Sequence, residues 1–139
     1  MTREEMFAFM NENPVCYVAT IENAQPRVRG ILLYKASSEG IIFHTGKWKK
    51  FYQQLQANTK IEMCFYSKGT QIRVAGEVEL IEDSELREEI IRHPTRVFLK
   101  SWEGKLDMSN MAIYRMKSGK ATTWRFETNF DPTVYENLF

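Results

Sequence analysis

The sequence predicts a mainly β chain of the α+β class, folded as a small antiparallel barrel with a few short helices at its ends. Three observations carry that expectation: seven strand-like runs, short turns between most of them, and only brief stretches of helical periodicity. With 139 residues, 43% hydrophobic and 13% aromatic, the chain can fill one core, so a single domain over residues 1–139 is expected.

Thr2 and Glu5 have capping-box spacing, and Met6, Phe9 and Met10 recur at helical intervals, which predicts a first helix closed by Pro14. Residues 14–21 are rich in β-branched and aromatic side chains, and residues 22–26 read as the turn into a second strand over 27–35. Ser37-Ser38-Glu39-Gly40 turns the chain into a third strand over 41–45. Trp48, Phe51, Tyr52 and Leu55 then fall at i, i+3, i+4 and i+7, one stripe of a helix within 47–58.

Residues 61–66 and 70–81 are strands joined by Ser67-Lys68-Gly69, and Gly76 suggests a bulge in the longer one. A helix over 84–92 carries Leu86 and Ile90, and Pro94 opens an amphipathic segment with Val97, Phe98 and Trp102. Residues 111–116 and 120–126 form a final hairpin about Lys117-Ser118-Gly119. Ile61, Met63, Phe65, Ile72, Val74 and Val78 are the expected barrel core.

Nineteen basic against eighteen acidic side chains leave a formal charge of +1, so no global field attracts nucleic acid or an anionic membrane. Cys16 and Cys64 lie outside any metal-ligand spacing and read as reduced, buried thiols. The N-terminus lacks the apolar core of a secretory signal, and no run approaches a membrane span; a soluble cytoplasmic protein is expected. Ser/His/Asp constellations, paired carboxylates and metal sets are absent from the sequence.

Any attraction for an anion must therefore be local, and GIIFHTGKWKK supplies a place for it. A helix beginning near Lys47 or Trp48 would aim free amides at the turn, where Thr45 offers a hydroxyl and Lys47, Lys49 and Lys50 offer cations. The residues fit either an anion subsite or a solvated lysine cluster beside an N-capping threonine. Strand alternation puts Arg27 and Arg29 on one face, and Gln71 and Arg73 on another polar face, both expected outside the core. Gly30, in a bulky strand, suits either a flat group lying against the backbone or a neighbouring side chain.

In this order the stretches RVRGILLYKASSEGIIFHTGKWKKFYQQLQAN and IEMCFYSKGTQIRVAGEVELIED resemble the pyridoxamine 5'-phosphate oxidase-like family of FMN-binding split β-barrels. The resemblance implies a split antiparallel barrel, FMN as cofactor, and a homodimer with the cofactor at its interface. It places Arg29 at the FMN phosphate, Gly30, Ile31 and Leu32 beside the flavin ring, and His44 and Thr45 along the ribityl phosphate. Lys50, with Lys49 beside it, matches the basic phosphate position, and Gln71 matches a glutamine given by the partner subunit; Trp124 and Arg125 read either as groups packing on flavin from that subunit or as a core tryptophan and a surface arginine. Tyr34 and Phe51 stand where the oxidase has basic residues, and its C-terminal arginine and histidine pair is not evident, so the cofactor is implied more directly than the oxidase reaction.

The resulting expectation is an FMN-dependent oxidoreductase acting on a small molecule by hydride transfer through flavin N5, with no catalytic side chain assigned and no metal. Two other readings remain: a haem-binding split barrel using a histidine ligand, and a nucleic-acid-binding barrel using Lys47, Trp48, Lys49, Lys50 and Phe51 as a stacking strip.

Overall fold

Alternating burial along the strands organises the chain around one antiparallel sheet. The structure, a computed structural model, describes residues 1–102, 104–105 and 107–139. Helix α1 (Arg3–Glu12) begins with the expected box: the Glu5 amide donates to Thr2 Oγ1 at 3.1 Å, and the Thr2 amide to Glu5 Oε2 at 2.7 Å. Strands β1 (Val15–Glu22) and β2 (Gln25–Leu32) follow, joined at Asn23 and Ala24, both with positive φ (49° and 65°). That two-residue turn is tighter than expected, so β2 begins at Gln25, and it ends at Leu32 rather than residue 35.

Strands β3 (Lys35–Ser37) and β4 (Gly40–Gly46) lead to α2 (Lys50–Ala57), and β5 (Lys60–Ser67) and β6 (Thr70–Ile81) form the long hairpin. Helix α3 (Ser84–Arg92) is capped by Asp83 Oδ1, which accepts from the Glu85 and Leu86 amides at 3.0 and 3.1 Å. A 3-10 segment (Pro94–Trp102) precedes β7 (Met111–Arg125), and a short β8 (Glu136–Asn137) pairs with it. Residues 111–126 are thus not a hairpin. Strand β7 runs unbroken beside β6, and a register shift between Glu77 and Val78 absorbs the Lys117-Ser118-Gly119 irregularity that reads as a turn in the sequence.

The sheet order is β2-β1-β5-β6-β7-β4-β3, with β8 on β7. It is a split barrel: the sheet does not close, and β2 presents a free edge. Cys16, Val18, Phe43, Met63, Phe65, Ile72 and Val74 fill its interior, all fully buried, together with Ile61 and Val78 as expected. Cys64 is only half-buried on the outer face, and both thiols are free. A second cluster, Ile90, Leu99, Met111 and Ile113, docks α3 and the 3-10 segment against the outside of the barrel. No helix among the described residues is long and apolar enough to cross a membrane.

Gly76 sits beside the bulge with no room for a side chain: an added Cβ would collide with the Ser118 carbonyl oxygen and lie 3.0 Å from Gly119 Cα. Gly76→Ala is expected to cost about 1–3 kcal/mol in chemical denaturation. Gly30→Ala, where the Cβ would meet the Tyr17 ring at an ordinary 3.7 Å, should leave the midpoint nearly unchanged.

Candidate functional site

The free edge of β2, the end of β4, the start of α2 and the 3-10 segment enclose a cavity of about 460 Å³. Its described lining gathers Arg29, Gly30, Ile31, Leu32, His44, Thr45, Lys49 and Lys50, with Phe51, Phe98 and Trp102 as an aromatic wall. Eight of the ten cofactor positions expected from sequence therefore meet in one place. Three cations line it and no described lining residue is acidic, so a bound anion would meet a positively charged wall, with Glu22 the acid behind it.

Arg29 does not point outward, as strand alternation would have it. It lies opposite Val18, a buried residue of β1, because the arginine face of β2 is the inner one, at the barrel's open end. Its guanidinium donates from Nη1 to Thr20 Oγ1 at 2.7 Å and to the Val18 carbonyl at 3.1 Å, donates from Nη2 to Gln54 Oε1, and lies 4.4 Å from the Phe51 ring centroid. Gln54, only 5% exposed, also accepts from Thr20 Oγ1 at 2.5 Å and donates from Nε2 to Glu22 at 3.2 Å. Arg29 is held by neutral acceptors, and its charge stays available. Burial lowers its pKa somewhat and Glu22 opposes that shift.

Helix α2 starts at Lys50, not at Lys47 or Trp48. The Lys49 amide donates to the Gly46 carbonyl at 3.0 Å, so residues 47–49 form a turn, and Trp48 leaves the helical stripe to pack edge-on against Trp102 with centroids 5.2 Å apart. Thr45 is accordingly not the N-cap; it is buried within β4, and Lys49 is the N-cap, without a side-chain hydrogen bond to the first turn. Lys49 and Lys50 line the cavity at the uncapped start of α2.

His44 lies beside a residue that sequence reading missed. Arg96, 1% exposed, donates from Nε to His44 Nε2 at 2.8 Å, and His44 Nδ1 is buried with no partner among the described residues. Burial, then the Arg96 and Lys49 charges, push the His44 pKa from 6.5 down to about 4. The unfolded chain thus binds the extra proton first, so stability falls as pH drops from about 7 toward 4, by at most about 3 kcal/mol. In His44→Gln that part of the pH slope should vanish from denaturation curves; an unchanged slope would refute the shift.

Gly30 is covered on its outer side by the ring of Tyr17, its own cross-strand neighbour, so of the two groups its sequence context suits, the neighbouring side chain is the one present on that side. Only the Gly30 backbone faces the cavity edge. Gln71 and Trp124 are not part of the cavity. Ile72 and Val74 turn inward, which puts Gln71 and its partner Trp124 on the outer face of the sheet. Trp124 lines a second cavity, about 320 Å³, with Arg73, Arg125, Asp131 and Glu136. There acids accompany the arginines, so the cation-only cavity is the better anion site.

Two signals could have revealed more of the site. Gln54 falls three residues after Phe51, a polar residue on a buried stripe, and such residues are retained where they hydrogen-bond. Arg96 sits in an amphipathic segment, but its burial depends on the β2–β3 link, which spacing does not disclose.

Residues 2–137 match the pyridoxamine 5'-phosphate oxidase family profile. A pyridoxine/pyridoxamine 5'-phosphate oxidase from Agrobacterium fabrum is 30% identical over 95 residues, covering 67% of this chain and 46% of that protein; the chain spans about half the length of such relatives. A NimC/NimA family protein from Clostridium acetobutylicum has a similar structure, with TM-score 0.75 and 23% identity over 97% of this chain and 92% of that one. An FMN-binding protein related to pyridoxamine 5'-phosphate oxidase from Nostoc punctiforme gives TM-score 0.68 at 16% identity, covering 97% and 95%. A heme binding protein from Mycobacterium smegmatis gives 0.71 at 11%, covering 99% and 59%.

Proposed function

Since the chain belongs to the pyridoxamine 5'-phosphate oxidase family, we propose that the cation-lined cavity binds FMN and that the protein is a homodimeric oxidoreductase acting on a small molecule. The observation that carries this reading is the cavity itself: three cations without an acid, an uncapped helix start, an orphaned His44 nitrogen and an aromatic wall. Its volume lies within the ~300–1,000 Å³ of small-molecule sites. Arg29, Lys49, Lys50 and Thr45 would hold the phosphate, and the β2 edge from Gly30 to Leu32 would lie along the ring.

Bound FMN supplies hydride acceptance at N5. The protein orients it, and Phe98 and Trp102 exclude water from one side. Tyr34 donates to Glu89, and Phe51 lies under Arg29, so neither position offers a cation for a second phosphate. Both features favour a substrate other than a pyridoxamine phosphate.

The homodimer rests on two features. Val15, Tyr17 (56% exposed), Val28 (71%) and Tyr66 form an open apolar outer face next to the cavity edge. Gln71 and Trp124 are also on the outer surface, where a two-fold related copy could receive them. The haem reading is weaker, because the bare nitrogen of His44 is already occupied by Arg96. Trp48, needed for a nucleic-acid strip, packs on Trp102.

Gln54→Glu replaces a neutral acceptor with a carboxylate directly on Arg29 at nearly constant shape. FMN affinity should fall about tenfold while riboflavin affinity holds, read by fluorescence titration; parallel losses would place Gln54 in general folding instead. The reading as a whole is tested by the visible spectrum of the purified protein and the mass of the released compound. A flavin spectrum with FMN released supports it; a Soret band, or a colourless protein that refuses FMN, overturns it.

A further inference from the structure

The two histidines of the chain, His44 and His93, are both tied to one buried guanidinium. Arg96 Nε donates to His44 Nε2 at 2.8 Å, Nη1 donates to Thr95 Oγ1 at 3.0 Å, and Nη2 donates to the carbonyls of Leu33 and Leu32 at 2.8 and 3.2 Å. Thr95 Oγ1 in turn lies 2.7 Å from His93 Nδ1, and the Thr95 amide donates to the same nitrogen at 3.2 Å. Among the described residues Arg96 has no carboxylate partner; the rings of Tyr34 and Phe98 lie 5.4 and 5.9 Å from its central carbon.

An arginine only donates hydrogen bonds and keeps its proton. His44 Nε2 must therefore be bare. A neutral imidazole carries one ring proton, so that proton sits on Nδ1, the buried nitrogen without a protein partner. An imidazolium would set an N–H against an N–H, and turning the ring over would set a C–H there. The same reasoning gives the opposite result at His93. Thr95 Oγ1 accepts from Arg96 and passes its own proton toward His93 Nδ1, which also accepts the Thr95 amide, so His93 is protonated on Nε2.

We propose that Arg96 is a positioning residue that fixes His44, which lines the cavity, as a neutral Nδ1–H donor, and that a ligand bearing an acceptor atom such as a carbonyl or ring nitrogen engages this shielded, unpartnered proton when it binds. The charged groups facing His44 are Arg96 and Lys49, both cationic, and Phe98 stacks beside it at 6.4 Å. Nothing there favours a second ring proton. The same guanidinium ties the 3-10 segment to the β2–β3 link, so the donor and the aromatic wall share one anchor. The tautomer stands whatever the ligand is; the choice of FMN as probe rests on the reading above.

The test is a long-range proton–nitrogen NMR spectrum of uniformly ¹⁵N-labelled full-length protein near pH 7, assigned with His93→Gln. His44 is expected to be neutral and protonated on Nδ1, opposite to the tautomer that the Thr95 contacts give His93. His44 protonated on Nε2, or charged at that pH, overturns the proposal. Arg96→Met should release His44 toward the Nε2–H form with a raised pKa, whereas Arg96→Lys, which also only donates, should retain the wild-type pattern; a tautomer unaltered in a folded Arg96→Met variant also overturns it. If Arg96→Met does not fold, the wild-type spectrum decides. Saturation with FMN should shift the His44 Nδ1 signal and its proton and leave His93 in place. Bound FMN with an unmoved His44 signal contradicts the donor role. Failure to bind FMN refutes the flavin reading, and the tautomer spectrum alone then decides the role of Arg96.

Discussion

Arg29→Ala and Lys50→Ala are each expected to weaken FMN binding by roughly 1.5–3 kcal/mol, about ten- to hundred-fold, and to leave riboflavin affinity almost unchanged. Riboflavin lacks the phosphate, so the pair of ligands and the pair of proteins form a thermodynamic cycle that isolates the phosphate contact. The control matters most for Arg29, whose removal also takes a donor away from Thr20 Oγ1, Gln54 Oε1 and the Val18 carbonyl. A loss of folding would weaken both ligands alike. Thr45→Val should act in the same FMN-selective direction by less, since it removes a neutral donor. Equal losses for the two flavins would leave GIIFHTGKWKK as a strand running into a solvated turn.

The second large effect concerns the open face of β1 and β2. In the proposed homodimer, Tyr17→Asp or Val28→Asp would bury a carboxylate without a partner, and a two-fold interface would meet each change twice, at about 3–5 kcal/mol per buried charge. Sedimentation should show monomers. Because the Tyr17 ring lies over Gly30, whose backbone edges the cavity, FMN and riboflavin should be lost together, a pattern opposite to that of the phosphate variants. A dimer that survives both substitutions would place the interface elsewhere, with the exposed Phe126 and Phe130 of the C-terminal tail as the next surface.

Much of this architecture is legible in the sequence because local rules and burial agree. Thr2 and Glu5 cap as their spacing requires, and Met63, Phe65, Ile72 and Val74 alternate inward as a two-residue period demands. Sequence and structure part where partners distant along the chain decide. Lys117-Ser118-Gly119 reads as a turn, yet Lys117 is taken up as an extra residue of β7 opposite the Glu77–Val78 step of β6, so the bulge lies there rather than at Gly76, and the ladder continues through it. Arginine usually faces water, but β2 is an edge strand at the barrel's end, and Thr20 and Gln54 supply acceptors that hold Arg29 within it.

The candidate site is legible in its cations and strand ends, which lie close together in sequence. Its supporting residues are not. Arg96 reaches His44 across 52 positions and the Leu33 carbonyl across 63. Such contacts exist only after the sheet has brought β2 and β4 to the same cavity, so composition and spacing carry no trace of them.

Sedimentation velocity of the wild-type protein mixed with FMN, recorded at the flavin's visible absorption band, tests the central claim most directly. Flavin absorbance is expected to move with a species of twice the chain mass, at two flavins per dimer. Flavin travelling with a monomer, or remaining free at micromolar protein, would contradict it.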